Sequence, residues 1–223
     1  MRKLLQLLTL LLPWKLRRLA LKSWFGYQID ATASIGMAWV FPKKLVMYAG
    51  ARIDHFTVAI HLDAIVMHEK SKIGRSNWIT GFSSDSNHPA FFKHQIDRKA
   101  ELHIGKHSAI TKDHHIDCTN LIIIGAFSTI AGYNSQLLTH SIDVFENRQD
   151  SAPIYIGDYT FVGTNVVILG GSSLPSYSVL GAKSLLNKQH TEEWILYGGV
   201  PAKAVQHLSK EAKYFFRTEG YVH

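Results

Sequence analysis

From Ile156 the chain repeats in sixes: IGDYTF, VGTNVV, ILGGSS, LPSYSV, LGAKSL, L. The leading positions Ile156, Val162, Ile168, Leu174, Leu180 and Leu186 are all aliphatic, and the fifth places Thr160, Val166, Ser172, Ser178 and Ser184 are small or β-branched. A period of six matches neither the 3.6 of an amphipathic helix nor the two of a half-buried strand. It is the pattern of a parallel β-helix, in which each hexad supplies one short strand and one corner. Three hexads close a triangular coil, and coils stack about 4.8 Å apart so that each backbone pairs with the next. A coil buries its lead residues only against its neighbours, so several are needed. Glycine follows the lead at Gly157, Gly163 and Gly181; the expectation is a tight turn that glycine enters without steric cost.

The same frame runs through Ile104, Ile110 and Ile116, resumes after a two-residue slip at Ile124, Ile130 and Gln136, and appears more weakly at Ile29/Ile35, Ile53 and Ile73/Ile79. Two stretches break it. Residues 82–100 read as a loop containing Pro89 and the pair Phe91/Phe92, and residues 140–153 as a polar loop opened by His140. Loops that leave a rigid scaffold are where binding and catalysis concentrate. Helical periodicity returns only in LSKEAKYFFR near the end. The expected organisation is therefore all-β: an N-terminal helical arm over 1–28, a β-helix over 29–206, and a short helical tail over 207–223.

With 223 residues, 46% hydrophobic and 18% charged, the chain has material for one domain with appendages. Its single cysteine, Cys118, excludes an internal disulfide framework. A lone cysteine can be a nucleophile, but a small buried residue is the commoner case. The net charge of +7 is local: residues 1–25 hold Arg2, Lys3, Lys15, Arg17, Arg18 and Lys22 and no acid, while the rest nearly balances. A basic face for nucleic acid is thus not expected on the body. Leu4 to Leu12 is apolar but well short of the roughly 20 residues that span a bilayer, and no small-residue cleavage site follows it. Pro13 should end or kink a first helix. Beyond it, Trp14, Leu16, Leu19, Leu21 and Trp24 interleave with cations, which suits a membrane surface or packing on the protein itself.

The ordered segments THSIDVFENR, IYIGDYTFVGTNVVILGG, LGAKS and YGGVPAK resemble the hexapeptide-repeat acyltransferases, most nearly the sugar O-acetyltransferases of polysaccharide biosynthesis. The resemblance covers most of the chain and is strongest over 104–206. It implies a left-handed parallel β-helix with short terminal helical segments; spacing alone carries no handedness, and ordinary parallel crossovers are right-handed.

It further implies acetyl-CoA or another acyl-CoA as co-substrate, no metal, and a cytoplasmic homotrimer with sites shared by two subunits. His140 falls on the catalytic base, and an imidazole with an ordinary pKa near 6.5 can take a proton from a sugar hydroxyl at cellular pH. Asp143 and Glu146 are the nearest acids, as orienting groups, substrate contacts or ordinary loop residues; Asn134 and Ser135 either turn toward the site or fill corners. His115 and Asp117, in DHHID, match the region that contacts the acceptor. On the donor side Phe161 stands where the family often has Trp beside the pantetheine arm. Thr164 and Ala182 match cofactor contacts, Lys188 and Lys203 match cations near the adenosine phosphates, and Gln206 replaces a further basic residue.

Other readings are an N-acetyltransferase on an amino sugar, a xenobiotic acetyltransferase, a gamma-type carbonic anhydrase needing a three-histidine metal site from residues such as His88, His115 and His140, and a non-catalytic β-helical assembly or membrane-docking protein. The arm favours an acceptor at the inner membrane face.

Overall fold

The computed structural model describes residues 2–85 and 91–222; Pro89 and His88 lie outside them. The body is a left-handed parallel β-helix with a triangular section. Its first face runs from Gln28–Ile29 to Ser173–Leu174, its second from Ser34–Ile35 to Val179–Leu180, and its third from Trp39–Phe41 to Leu185–Leu186. Every pairing between successive coils on these faces is parallel and in register, as where Leu102 and Ile104 lie beside Ile122 and Ile124. The core is the column the hexads imply: Ile156, Val162, Ile168, Leu174, Leu180 and Leu186 are all buried, as are Thr160, Val166, Ser172, Ser178 and Ser184.

Three expectations change. The lead in the fifth full coil is Leu137, buried, and not Gln136, which is exposed; the extra residue is taken up around Gly132, at φ +71°. The glycines after the leads are not the turn residues. Gly74, Gly105, Gly125, Gly157 and Gly163 do not have positive φ; a Cβ on Gly74 would stand 1.9 Å from the Thr111 carbonyl oxygen, and one on Gly157 2.4 Å from the Ser176 nitrogen. They are required because the next coil passes too close. The left-handed residue comes two places later and carries a side chain, as at Tyr159, Asn165 and Lys183. Finally, among the described residues the helical segment of the C-terminal tail is one short 3₁₀ turn, Lys213–Phe216, and Lys203–His207 ahead of it is a strand antiparallel to Ile195–Gly198.

At the other end, helix α1 (Arg2–Leu10) and helix α2 (Trp14–Phe25) are separated at Pro13. Gly26, at φ +70°, closes α2 by donating its N–H to Lys22. The inner face of α2 packs on the first coil: Leu21 and Ala20 are buried, and the Arg17 guanidinium donates to the carbonyls of Gly36 (2.6 Å) and Ala38 (2.7 Å). Burial lowers the pKa of Arg17 to about 10, so it stays charged at neutral pH. No helix among the described residues is long and apolar enough to cross a membrane.

Candidate functional site

The two excursions leave the β-helix at the same edge, where the third face turns into the first. Residues 81–100 connect Trp78–Thr80 to Glu101–Ile104; residues 139–153 connect Gln136–Leu138 to Ile154–Ile156. The second is not an irregular loop. It is a β-hairpin, His140–Asp143 paired antiparallel with Arg148–Ser151, with Asp143 and Arg148 directly opposite as an ion pair 3.3 Å apart. The two excursions are joined by polar contacts. Gln95 donates to the Asp150 carboxylate and to the Ser151 carbonyl (2.7 Å each) and accepts from the Ser151 hydroxyl (2.6 Å); Asn120 donates to that same hydroxyl oxygen (3.1 Å).

His140 stands at the root of the hairpin, half-buried. Its Nε2 meets Oε1 of Gln149, and its Nδ1 lies 3.8 Å from Asp117 Oδ2 on the coil below. The other carboxylate oxygen of Asp117 is taken by the backbone N–H (2.8 Å) and hydroxyl (2.6 Å) of Thr119. That leaves Oδ2 turned to the imidazole, while the Nε2 contact has the ring N–H donating to the Gln149 carboxamide oxygen. Phe92 closes one side of the ring, edge to face with centroids 5.7 Å apart. The Arg98 guanidinium lies 4.3 Å from the Phe92 ring centre and donates to the carbonyls of Phe82, Ser83 and Thr119. Gln149, Phe92, Arg98 and Thr119 thus form the surroundings of His140. The sequence alone gives none of them a role. The available signal was that both breaks in the repeat follow a third-face strand, which puts them on one edge.

Asp143 does not reach His140. It lies at the far end of the same hairpin arm, 3.3 Å from Arg148, and accepts from the N–H groups of Phe145 and Glu146. His115 is exposed on the outer surface of the third face, two residues along the strand from Asp117 and between Trp78 and Gln136. Its neighbour His114 is a buried structural residue. Nδ1 accepts from the Ser135 N–H (3.1 Å), so Nε2 carries the proton toward the Thr111 hydroxyl (3.0 Å). Burial pushes its pKa down to about 4, against a small opposing effect of Asp113. Asn134 and Ser135 fill a corner, Asn134 at φ +56° and Ser135 fully buried. Cys118 is buried, and that burial drives its thiol pKa upward, away from nucleophilic use. Among the described residues no group of three His, Cys, Asp or Glu side chains converges as metal ligands do.

The residues matched to the acyl donor lie elsewhere on the prism. Phe161 is exposed on the second face, against Tyr214 at 5.8 Å. Thr164 and Ala182 occupy the edge between second and third faces in successive coils. The Thr164 hydroxyl is already engaged, donating to the Tyr133 carbonyl (3.1 Å) and accepting from its N–H (3.2 Å). Lys203 begins the exposed terminal strand of the second face, and Lys188 lies exposed at the third-to-first edge. Within one chain, therefore, His140 and the pair Thr164/Ala182 stand on opposite edges of the third face.

No family model and no curated protein sequence matches the chain. Solved structures do. An N-acyltransferase from Bacillus cereus, AntD, solved as a mutant with dTDP-4-amino-4,6-dideoxyglucose and coenzyme A, is 10% identical, with 82% of this chain and 85% of that one covered and a TM-score of 0.52. A candidate acetyltransferase of Bacillus cereus is 17% identical, covering 83% and 80%, with a TM-score of 0.50. A hexapeptide-repeat acetyltransferase of Vibrio cholerae is 20% identical, covering 92% and 88%, with a TM-score of 0.49. At these identities what is shared is the architecture: the chain has the left-handed β-helix fold found in the hexapeptide-repeat acyltransferases.

Proposed function

We propose that the protein is an acyl-CoA-dependent O-acyltransferase, acting on a sugar hydroxyl with His140 as general base. The observation that supports this best is the setting of His140: a solvent-accessible imidazole at the root of a hairpin, with a carboxylate facing Nδ1 and only a neutral carboxamide on Nε2. In this reading the acceptor hydroxyl displaces the Gln149 carboxamide oxygen from Nε2, and the ring takes the tautomer with its one proton on Nδ1, on the side of Asp117, so that Nε2 presents its lone pair. The imidazole takes the hydroxyl proton as the oxygen attacks the thioester carbonyl. Collapse expels the CoA thiolate, and the imidazolium returns the proton to sulfur; no acyl-enzyme forms. Asp117 Oδ2 stays on the Nδ1 side of the ring, 3.8 Å away, opposite the nitrogen that exchanges the proton. General-base help of this kind contributes roughly 10²–10⁴-fold.

The separation of His140 from Phe161, Thr164 and Ala182 on one chain fits a homotrimer whose sites each combine the base edge of one subunit with the donor edge of the next. His115 and Asp117, beside the base, are the proposed acceptor contacts, with Lys188 and Lys203 near the donor phosphates. The Thr164 hydroxyl is occupied, so its contribution to the donor is by backbone and shape.

The test is thiol release from acetyl-CoA over a panel of nucleotide sugars and oligosaccharides. His140→Ala should leave circular dichroism unchanged and cut turnover at least about 100-fold; near-normal turnover would place the base elsewhere. A second reading, transfer to an amino-sugar nitrogen, is favoured by the amino sugar bound to AntD. The products separate the two: an ester is cleaved by mild hydroxylamine and an amide is not.

A further inference from the structure

We propose that α1 and α2 dock the protein on an anionic lipid surface, through a leucine face that both helices turn away from the β-helix. On α1 and the residue after it, Leu4, Leu7, Leu8 and Leu11 are exposed and recur at helical spacing, one above another; Thr9, on the opposite side, is fully buried. On α2, Leu16 and Leu19 are exposed between Lys15 and Lys22, while Arg17, Ala20 and Leu21 are buried against the first coil. The outer face is thus held in a fixed direction by the Arg17 contacts with Gly36 and Ala38.

Charge selects the occupant. The arm carries only cations up to Asp30, and the body nearly balances. A second copy docking through the same face would bring like charges together with no acid of the arm between them. An anionic bilayer offers the complementary sign to the lysines and an apolar layer to the leucines, which is how short amphipathic helices lie at an interface. Nine and twelve residues are too few to span.

Vesicle flotation of the full chain, without CoA or acceptor, tests this separately from acyl transfer. The chain should float with vesicles of phosphatidylcholine plus phosphatidylglycerol, bind phosphatidylcholine alone far less, and dissociate as salt is raised. Replacing Leu4, Leu7, Leu8 and Leu11 together by Ser should weaken partitioning at least about tenfold. Lys15→Glu with Lys22→Glu, both at exposed positions, should weaken it roughly fivefold or more per cation. Oligomer mass by light scattering should not change in either variant. No flotation with the anionic vesicles, unchanged flotation of the leucine variant, or a leucine variant that falls apart into smaller species would overturn the proposal, the last by assigning the face to another copy.

Discussion

Two edges of the same prism have taken opposite courses. Along the edge between first and second faces, His107, Phe127, Tyr159, Tyr177 and Trp194 occupy equivalent places in successive coils. All have φ between 53° and 61°, and their rings stack nearly parallel with centroids 4.7–5.4 Å apart. A left-handed conformation costs a residue with a side chain about 1–2 kcal/mol. Ring contact with the coil above and below offsets it, at about 0.5–1.5 kcal/mol per pair beyond the area buried. Along the edge between third and first faces no comparable ladder of rings stands among the described residues. The chain leaves twice, and unlike polar groups hold the excursions: Arg98 on three carbonyls, Gln95 on Asp150 and Ser151, Thr119 on Asp117. Repetition builds an edge that needs only its neighbours. A site needs different groups at one place, so it arises where the repeat is broken.

The sharpest way to break the regular part is Gly74→Ala. The new methyl would overlap the Thr111 carbonyl, which is backbone and cannot swing aside, so chemical denaturation should show a loss of about 3 kcal/mol or more. His114 gives the next effect. Its folded pKa, about 4, lies below the unfolded value near 6.5, so the folded protein binds fewer protons between them. The stability it confers is complete above pH 6.5 and drains away as pH falls toward 4, by roughly 2–3 kcal/mol. Denaturation midpoints should therefore drop over that window, and His114→Gln should flatten the drop. An unchanged pH slope in the variant would mean that other groups carry it.

The regular edge was legible and the irregular one only in outline, for a physical reason. Burial repeats with the coil, so the inward positions of Ile156 through Leu186 can be read from spacing. The reason for Gly157 cannot: its constraint is the Ser176 nitrogen of the next coil, 19 residues on. The carboxylate beside His140 is a similar case. Asp143, three residues away, looks closer, but the hairpin carries it outward, while Asp117 arrives from the coil below by stacking. Gln149 returns to the ring only because residues 140–143 and 148–151 pair. Arg98 depends on where a long excursion re-enters, which no local pattern records.

A smaller perturbation sets the edges apart without touching the base. Tyr177→Leu removes two stacks of the ladder, with Tyr159 and Trp194, and should cost about 1–2 kcal/mol with thiol release unchanged. A fall in turnover matching that of His140→Ala would show that the ladder edge takes part in the chemistry.

The mildest effect concerns Asp63, which ties both ends of the first excursion. It accepts from Lys43 (2.8 Å), the Ser83 hydroxyl (2.9 Å), the Ser84 N–H and the Ala100 N–H (3.1 Å each). Burial pulls this carboxyl upward, but those donors outweigh it and leave it at about 2. A depressed carboxyl stabilises fully above its unfolded value, about 3.9, and loses that contribution as pH falls through its folded value. With allowance for solvent the loss is on the order of 1 kcal/mol. Hydrogen exchange should accordingly quicken at the ends of the 81–100 excursion between pH 4 and 2, before the strands flanking the aromatic ladder respond. Asp63→Asn should remove that pH step. If both edges opened together at the same pH, the irregular edge would not be an independently held unit, and its polar contacts would be only a surface of the same cooperative stack.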